Sequence, residues 1–205
     1  ASSTAAPNLL LNDGAASRPS NELADLMGLR MVTVSETDDS AQLREALVKH
    51  LTGGDKIKAR FLYGEHFEFW PTHKLQMFTN YEPRIKGQDR GMWRRLLVLR
   101  YDIRYGDAGD VAAGKADRVG DLYLGDTLRA EAPGILRWVV DGAREWYKAG
   151  LRPPEAVRRL TDAYQKRQDT IGQFVSDKCV LDSRARTPLS TGAGNLFRSY
   201  QNWCT

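Results

Sequence analysis

The stretch "LRMVTVSE", residues 29–36, decides how the chain is read. It is a short β-branched run that ends in an acid. Such a run suits a strand buried on both faces, the kind found in parallel sheets. In open α/β sheets, ligands gather outside the C-terminal ends of the strands. Glu36 sits at that end, where a carboxylate can hold a metal-bound water or polarise a nucleophilic one. An ordinary strand-end carboxylate is the competing reading, and the residue alone does not separate the two.

Working outward, residues 1–20 are rich in Ala, Ser, Asn, Gly and Pro and read as a loop or mobile terminus. Residues 21–28 fit a short helix with Leu23, Leu26 and Met27 on one face. Downstream, "DDSAQLREALVKHLTGGD" places Leu43, Ala46, Leu47 and Leu51 on one helical face. Asp38, Asp39 or Ser40 can cap its start, and Gly53-Gly54 ends it. "IKARFLYGEHFEFW", 57–70, alternates on both sides of Gly64-Glu65, with Ile57, Ala59, Phe61 and Tyr63 sharing a face. It predicts a β-hairpin with its tip near Tyr63–His66, closed off by Pro71. "KLQMFTNYEPRIKGQDRGMWRRLLVLRY", 74–101, then predicts two buried strands, 75–79 and 96–103, joined by a polar loop.

Beyond Arg104 the pattern changes. "YGDAGDVAAGKADRVGD" reads as a Gly/Asp-rich loop, and from 121 onward the periodicity is helical. Ile135, Leu136, Val139, Val140, Ala143 and Trp146 form a broad apolar stripe behind Pro133 at a helix start. Further helices are expected from Pro153-Pro154 to Gln168, over 170–181 and over 195–204. The expected organisation is a terminal segment over 1–20, a strand-rich α/β part over 21–105, a helical part over 106–182, and a last segment over 183–205.

With 205 residues, 41% hydrophobic and 27% charged, the chain can bury a core. No apolar stretch is long enough to span a membrane, and the N-terminal stretch lacks the pattern of a secretory signal. It has no initiator Met, so a fragment or processed product is expected. A net charge of +4 mildly favours an acidic partner such as nucleic acid. Cys179 and Cys204 form no CxxC or Cys/His cluster, which fits a reduced cytosolic protein.

Several side chains stand out against this frame. Asn80 ends a second strand, where a carboxamide can orient a water while contacting a phosphate oxygen. Arg94 and Arg95 lie at the root of another; a planar guanidinium suits phosphate, but strand alternation aims only one of two neighbours well. Ion pairs with Asp89 or Asp102 are the alternative. The hairpin sets Lys56, Lys58, Arg60 and His66 among Phe61, Tyr63, Phe67 and Phe69. Cations can follow a phosphate backbone and aromatics can stack on bases, although core packing is the stronger reading for the aromatics. There is no GxxxxGK[ST], and "GKAD" at 114–117 lacks the hydroxyl residue.

Taken in order, "RMVTVSETD", "LVKHLTGGDKIKARFLYGEHFEFWPTHKLQMFTN" and "RIKGQDRGMWRRLLVLRYDI" resemble the phage and plasmid primase–helicase family. This is the superfamily 3 branch of the AAA+ ring ATPases. "APGILRWVVDGAREWYKAGL" and "AVRRLTDAYQKRQDTIGQFVSDKCVL" resemble its C-terminal region more loosely. The resemblance implies part of an α/β AAA+ P-loop core, a parallel sheet plus a β-hairpin, followed by a helical region. It puts Glu36, with Asp38, at the Walker B position that handles Mg²⁺ and the attacking water. Asn80 falls on sensor 1, and Arg94 or Arg95 on the arginine finger that reaches the neighbouring subunit's γ-phosphate. Lys56, Lys58, Arg60, Tyr63 and His66 fall on the DNA-contacting hairpin, where relatives often carry Lys at the Gly64 position. Implied partners are ATP, Mg²⁺, single-stranded DNA and further copies in a ring, typically a hexamer, in the cytoplasm of a bacterial host.

The family's Walker A loop precedes these segments, so the resemblance implies that residue 1 lies beyond it and that this chain alone lacks ATPase activity. The last helix, with Phe197, Tyr200 and Trp203 on one side, would open a C-terminal DNA-binding module. A non-catalytic DNA-binding or assembly module is the alternative; a metal-dependent nuclease built on Glu36 is weaker, as no second acid-rich motif accompanies it.

Overall fold

A computed structural model describes residues 1–12, 20–35, 41–181 and 190–204. In chain order the elements are β1 (Ser2–Ala5), a 3₁₀ turn (Pro7–Leu9), β2 (Leu11–Asn12), α1 (Ser20–Ala24), β3 (Met31–Ser35), β4 (Gln42–Leu43), α2 (Glu45–Leu51), β5 (Ile57–Ala59), β6 (Phe67–Phe69), β7 (Lys74–Phe78) and α3 (Arg90–Trp93). They continue with β8 (Tyr105–Gly106), α4 (Ala108–Ala112), β9 (Arg118–Val119), α5 (Leu124–Ala130), α6 (Ala132–Ala149), α7 (Glu155–Gln168), α8 (Thr170–Lys178) and α9 (Ala193–Cys204). The chain divides into two compact units, Ala1–Leu96 with Thr161–Thr205, and Leu97–Leu160.

The first unit is mixed α/β around a three-stranded sheet of order β1-β3-β7. Both pairings are parallel, with Ser2 opposite Met31 and Ser35 opposite Phe78. β3 is the central strand, as its β-branched run requires. Val32 and Val34 are fully buried, whereas Met31 is exposed and Thr33 and Ser35 are half-covered. The strand therefore buries one face fully and the other in part, not both as expected. Thr33 uses its half-covered face for polar bonds, its Oγ1 lying 3.1 Å from Thr4 Oγ1.

Residues 2–12 are not the loop their composition predicts. Ser2–Ala5 is a strand because β3 offers it a complete main-chain ladder, and Leu9, Leu10 and Leu11 are buried behind it. Leu43, expected on a helix, instead pairs with Leu11 in the short β2–β4 ladder. The helix starts two residues later at Glu45 and buries Val48 and Leu51, leaving Ala46 exposed. Its expected caps Asp38, Asp39 and Ser40 lie outside the described residues. Gly54, with φ of +89°, turns the chain just past its end, as the Gly-Gly pair predicts. On α1 and the turn that follows, Leu23 and Leu26 are buried but Met27 is exposed. At the other end of the chain α8 and α9 pack through Phe174, whose ring meets Tyr200 at 5.3 Å and Trp203 at 5.9 Å. Phe197, expected beside them, stays exposed.

In the second unit the expected strand over 96–103 does not form: residues 97–104 carry no strand or helix. A strand needs a neighbouring strand for its ladder, and none of the described ladders includes this segment. The Gly/Asp-rich stretch that follows is built, not loose. β8 and β9 pair in parallel, with Tyr105 opposite Arg118, across the single turn of α4. Asp107 caps α4 by accepting from Asp110 N at 2.8 Å, and Asp117 accepts from Arg104 N at 2.8 Å. Acids read as loop formers are thus the clasps of a miniature βαβ unit. α6 begins with Pro133 in its first turn and stops at Gly150, whose φ is +70°. One side of α6 is laced by ion pairs of Asp141 with Arg137 and Arg144 and of Glu145 with Lys148. Its apolar stripe is exposed: Leu136, Val139 and Trp146 all face outward. Among the described residues of this unit only Ala116 and Val157 are buried.

Candidate functional site

Both groups of candidate residues lie in the first unit. At the sheet edge, β3 and β7 are parallel neighbours that end level, Ser35 opposite Phe78. Asn80 follows two residues past that end and is exposed. Thr79 between them is structural, as its hydroxyl donates to Tyr81 O at 2.7 Å and accepts from Tyr81 N at 3.0 Å. That closed turn fixes where the chain leaves the strand. Glu36 and Asp38, expected beside Asn80, lie outside the described residues.

From Tyr81 to Asp89 the chain is held from two sides. Glu45 Oε1 on α2 accepts from Lys86 N at 2.8 Å and Gly87 N at 3.0 Å. Lys49, one helical turn further on, pairs with Asp89. That bond, helped by the N–H of Met92, holds the Asp89 carboxyl below the usual carboxylate range. On the other side Tyr164 donates to Pro83 O, Gln168 Oε1 accepts from Ile85 N at 3.0 Å, and Arg167 pairs with Glu82. Burial pushes the Tyr164 hydroxyl above its ordinary pKa. Trp93 closes the arrangement: it is 5% exposed, its Nε1 donates to Gly87 O at 3.0 Å, and its ring meets Tyr164 edge-on at 5.2 Å. Sequence reasoning missed this latch. Its bonds join residues about 40 and 80 positions apart, and no local periodicity carries such a signal.

The arginine pair sits where the latch ends. It follows the short helix α3, not the root of a strand as expected. Asp89 caps that helix by accepting from Met92 N at 3.1 Å. Arg95 folds back and donates from Nη1 to Gly91 O, which leaves it half-buried. Arg94, at the helix end, is exposed. The acids of the alternative reading pair elsewhere, Asp89 with Lys49 and Asp102 with Arg100. The structure therefore separates two neighbours that the sequence left equivalent.

The hairpin forms as read. β5 and β6 are antiparallel with Ile57 opposite Phe69, Lys58 opposite Glu68 and Ala59 opposite Phe67. Ile57, Ala59 and Phe69 anchor it in the core. Phe61 and Tyr63, expected on the same buried face, lie beyond the core and are exposed. Lys58, Arg60 and His66 are exposed as well. Lys56 is engaged at the base, 3.7 Å from Glu68 Oε2 and 5.6 Å from the Trp70 ring centre.

The donors present suit phosphate oxygens: an exposed carboxamide at the sheet edge and an exposed guanidinium past the latch. No three His, Cys, Asp or Glu side chains gather to hold a metal among the described residues. No described helix is long and apolar enough to cross a membrane.

A mixed α/β chain with a parallel sheet, a basic hairpin and this edge can be set beside known proteins. No protein-family signature matches it. Over 195 residues it is 30% identical to a protein named "Putative helicase" of Acanthamoeba polyphaga mimivirus, covering 91% of this chain and 20% of that protein. A "Putative helicase" of Frog virus 3 is 30% identical, over 86% of this chain and 18% of that protein. A "Putative primase" of African swine fever virus is 23% identical, over 92% and 20%. The chain is thus related to part of helicase- and primase-named proteins of large DNA viruses. It spans about a fifth of the length of these curated relatives.

Proposed function

We propose that the chain supplies one part of the ATPase core of a replicative DNA helicase, of the superfamily 3 AAA+ type, encoded by a virus or mobile element. The observation that carries this reading is the level edge of two adjacent parallel strands, Ser35 opposite Phe78, with the Asn80 carboxamide exposed just beyond it. That is the edge at which α/β sheets hold ligands. The helicase and primase names of the relatives support it.

In this reading Glu36, which follows Ser35 in the chain, serves Mg²⁺ and the attacking water, and Asn80 orients that water. Of the two arginines, Arg94 is the finger that reaches ATP held by a neighbouring copy in a ring, because Arg95 is tied to its own helix. When bound, ATP supplies the phosphoryl transfer to water that drives movement along single-stranded DNA. The phosphate-cradling loop comes from the rest of the protein, since this sequence has no GxxxxGK[ST]. Lys58, Arg60, Tyr63 and His66 would face the strand. Lys56, already paired, steadies the hairpin base.

The test uses the whole protein. Asn80→Ala and Arg94→Ala should each abolish ATP turnover while single-stranded DNA binding survives; a finger in trans is worth about 10³–10⁵ in rate in related enzymes. Arg94→Ala subunits mixed into wild-type rings should poison them more than in proportion. Wild-type turnover in both variants would reject the assignment, and a linear dilution of activity would reject the trans role. The exposed cations Lys58 and Arg60 of the hairpin also support a second reading, a DNA-binding or assembly module without catalysis. It predicts that turnover by the whole protein is indifferent to both substitutions.

A further inference from the structure

Tyr63 is the one non-glycine residue with a left-handed backbone among those described, with φ of +63°. It is also 98% exposed. An L-residue with a bulky ring rarely adopts this conformation, and asparagine or glycine would hold the same turn with less strain. The neighbouring glycine does not relieve it. Gly64 lies one position later, where its N–H donates to Phe61 O at 2.9 Å. An added Cβ there would come within 3.3 Å of that same oxygen. The turn is therefore tight at 64, where a Cβ would need its neighbour to shift slightly, and it presents a side chain, under strain, at 63. Strained residues of this kind cluster where a side chain must be aimed.

What is presented is not a phosphate binder. Residues 61–66, FLYGEH, hold no Lys or Arg and include Glu65. Phe61 is 46% exposed and Leu62 66% exposed. The tip is thus apolar and aromatic with a carboxylate beside it, while the cations Lys58 and Arg60 lie back on the stem. The stem is stiff enough to hold the display. Phe61 stacks on Phe67 at 5.6 Å, Phe67 meets Phe69 in a tilted contact at 6.1 Å, and Phe69 is buried at the base.

We propose that Tyr63 stacks on an unpaired nucleobase, with Leu62 beside it, while the stem cations follow the phosphates. The tip then reads the presence of a base and not merely charge. This rests on the nucleic-acid reading of the hairpin given above and goes beyond it. Stacking is tolerant of sequence, because every base offers a π-face, so the expected ligand is any single strand with its bases intact.

The test compares two probes of equal length and charge, an oligo(dT) and an oligonucleotide made of abasic sites, in anisotropy titrations of the 205-residue chain. Wild type should prefer oligo(dT). Tyr63→Ala should lose about 5- to 150-fold on oligo(dT), the range measured for single stacked bases, and nothing on the abasic strand. Tyr63→Phe should keep the preference. Tyr63→Gly, which relieves the backbone, should lose as much as Tyr63→Ala, so that strain and ring are told apart. Lys58→Ala should weaken both probes alike and flatten the salt dependence. Equal losses on both probes with Tyr63→Ala, or none on oligo(dT), would overturn the stacking role while leaving the hairpin a nucleic-acid contact. If oligo(dT) binding is untouched and self-association falls instead, the tip is a protein-docking element and the proposal is wrong. Wild type that binds neither probe would remove the nucleic-acid reading itself.

Discussion

Removing Trp93 should open the latch between Asn80 and Arg94. The indole is 5% exposed, and large-to-small substitution of a buried aromatic costs about 3–5 kcal/mol. Its N–H also satisfies Gly87 O at 3.0 Å, and leaving that half-buried carbonyl unpaired adds about 1 kcal/mol. Trp93→Ala should therefore lower unfolding free energy by about 4–6 kcal/mol, a large share of the roughly 5–15 kcal/mol of an ordinary domain. Trp93→Phe keeps most of the ring and should lose only about 1–2 kcal/mol. Urea unfolding followed by far-ultraviolet circular dichroism measures both. Pairing Trp93→Ala with Tyr164→Leu should show a coupling of about 0.5–1.5 kcal/mol from the edge-on contact. Trypsin should cut faster after Arg84 and Lys86, which Tyr164, Gln168 and Glu45 otherwise hold in place. A loss below about 1.5 kcal/mol for Trp93→Ala with unchanged cleavage would show that the latch does not depend on this side chain.

His73 is 5% exposed, and neither ring nitrogen has a partner among the described residues. Burial, aided by the charge of Lys74, holds its pKa below the usual 6.5. The imidazole is neutral when folded, so the stability it permits is complete above about pH 6.5 and falls as pH drops towards the folded pKa, by up to about 1.4 kcal/mol per pH unit. His73→Leu should flatten that slope in urea titrations between acid and neutral pH; parallel slopes in the two proteins would refute the assignment. Leu136→Glu with Val139→Glu on the exposed stripe of α6 should lower sedimentation-detected self-association and hydrophobic-dye binding of the chain without reducing helicity. Unchanged dye binding would place the sticky surface elsewhere. Gly106→Ala should disrupt the β8–α4–β9 unit, since a Cβ there would lie 2.8 Å from Ala116 Cβ and 2.9 Å from Asp110 Cβ. The expected loss is about 1–3 kcal/mol, read by thermal unfolding, and a neutral result would mean that α4 shifts freely.

What was legible in the sequence was what periodicity writes. β3, the β5–β6 hairpin, β7 and helices α6 to α9 all stand near where the apolar spacing puts them. The failures share one cause, which is that pairing is decided by partners. Ser2–Ala5 has no strand-like pattern yet is a strand, because β3 completes its ladder. Residues 96–103 have a strand-like pattern yet form none, because no described strand lies beside them. Asp107 and Asp117 read as loop residues, yet one caps α4 and the other clasps Arg104, bonds that local composition does not reveal. Of the candidate site, the exposure of Asn80 follows from its place after a strand, but the difference between Arg94 and Arg95 depends on one carbonyl of α3. The left-handed turn at Tyr63 was hidden because the obvious glycine stands next to it.

The central sheet has a consequence for how the chain is made. β3 leaves the ribosome about 40 residues before β7, its partner on one side. At roughly 5–20 residues per second that is a delay of about 2–8 s. Throughout it the apolar run Met31–Val34 has only β1 beside it, a strand of small polar residues. Synthesis rate through residues 36–73 should therefore govern yield: slower codons there lengthen the exposure of β3, and a holdase chaperone that covers it for those seconds should rescue soluble protein.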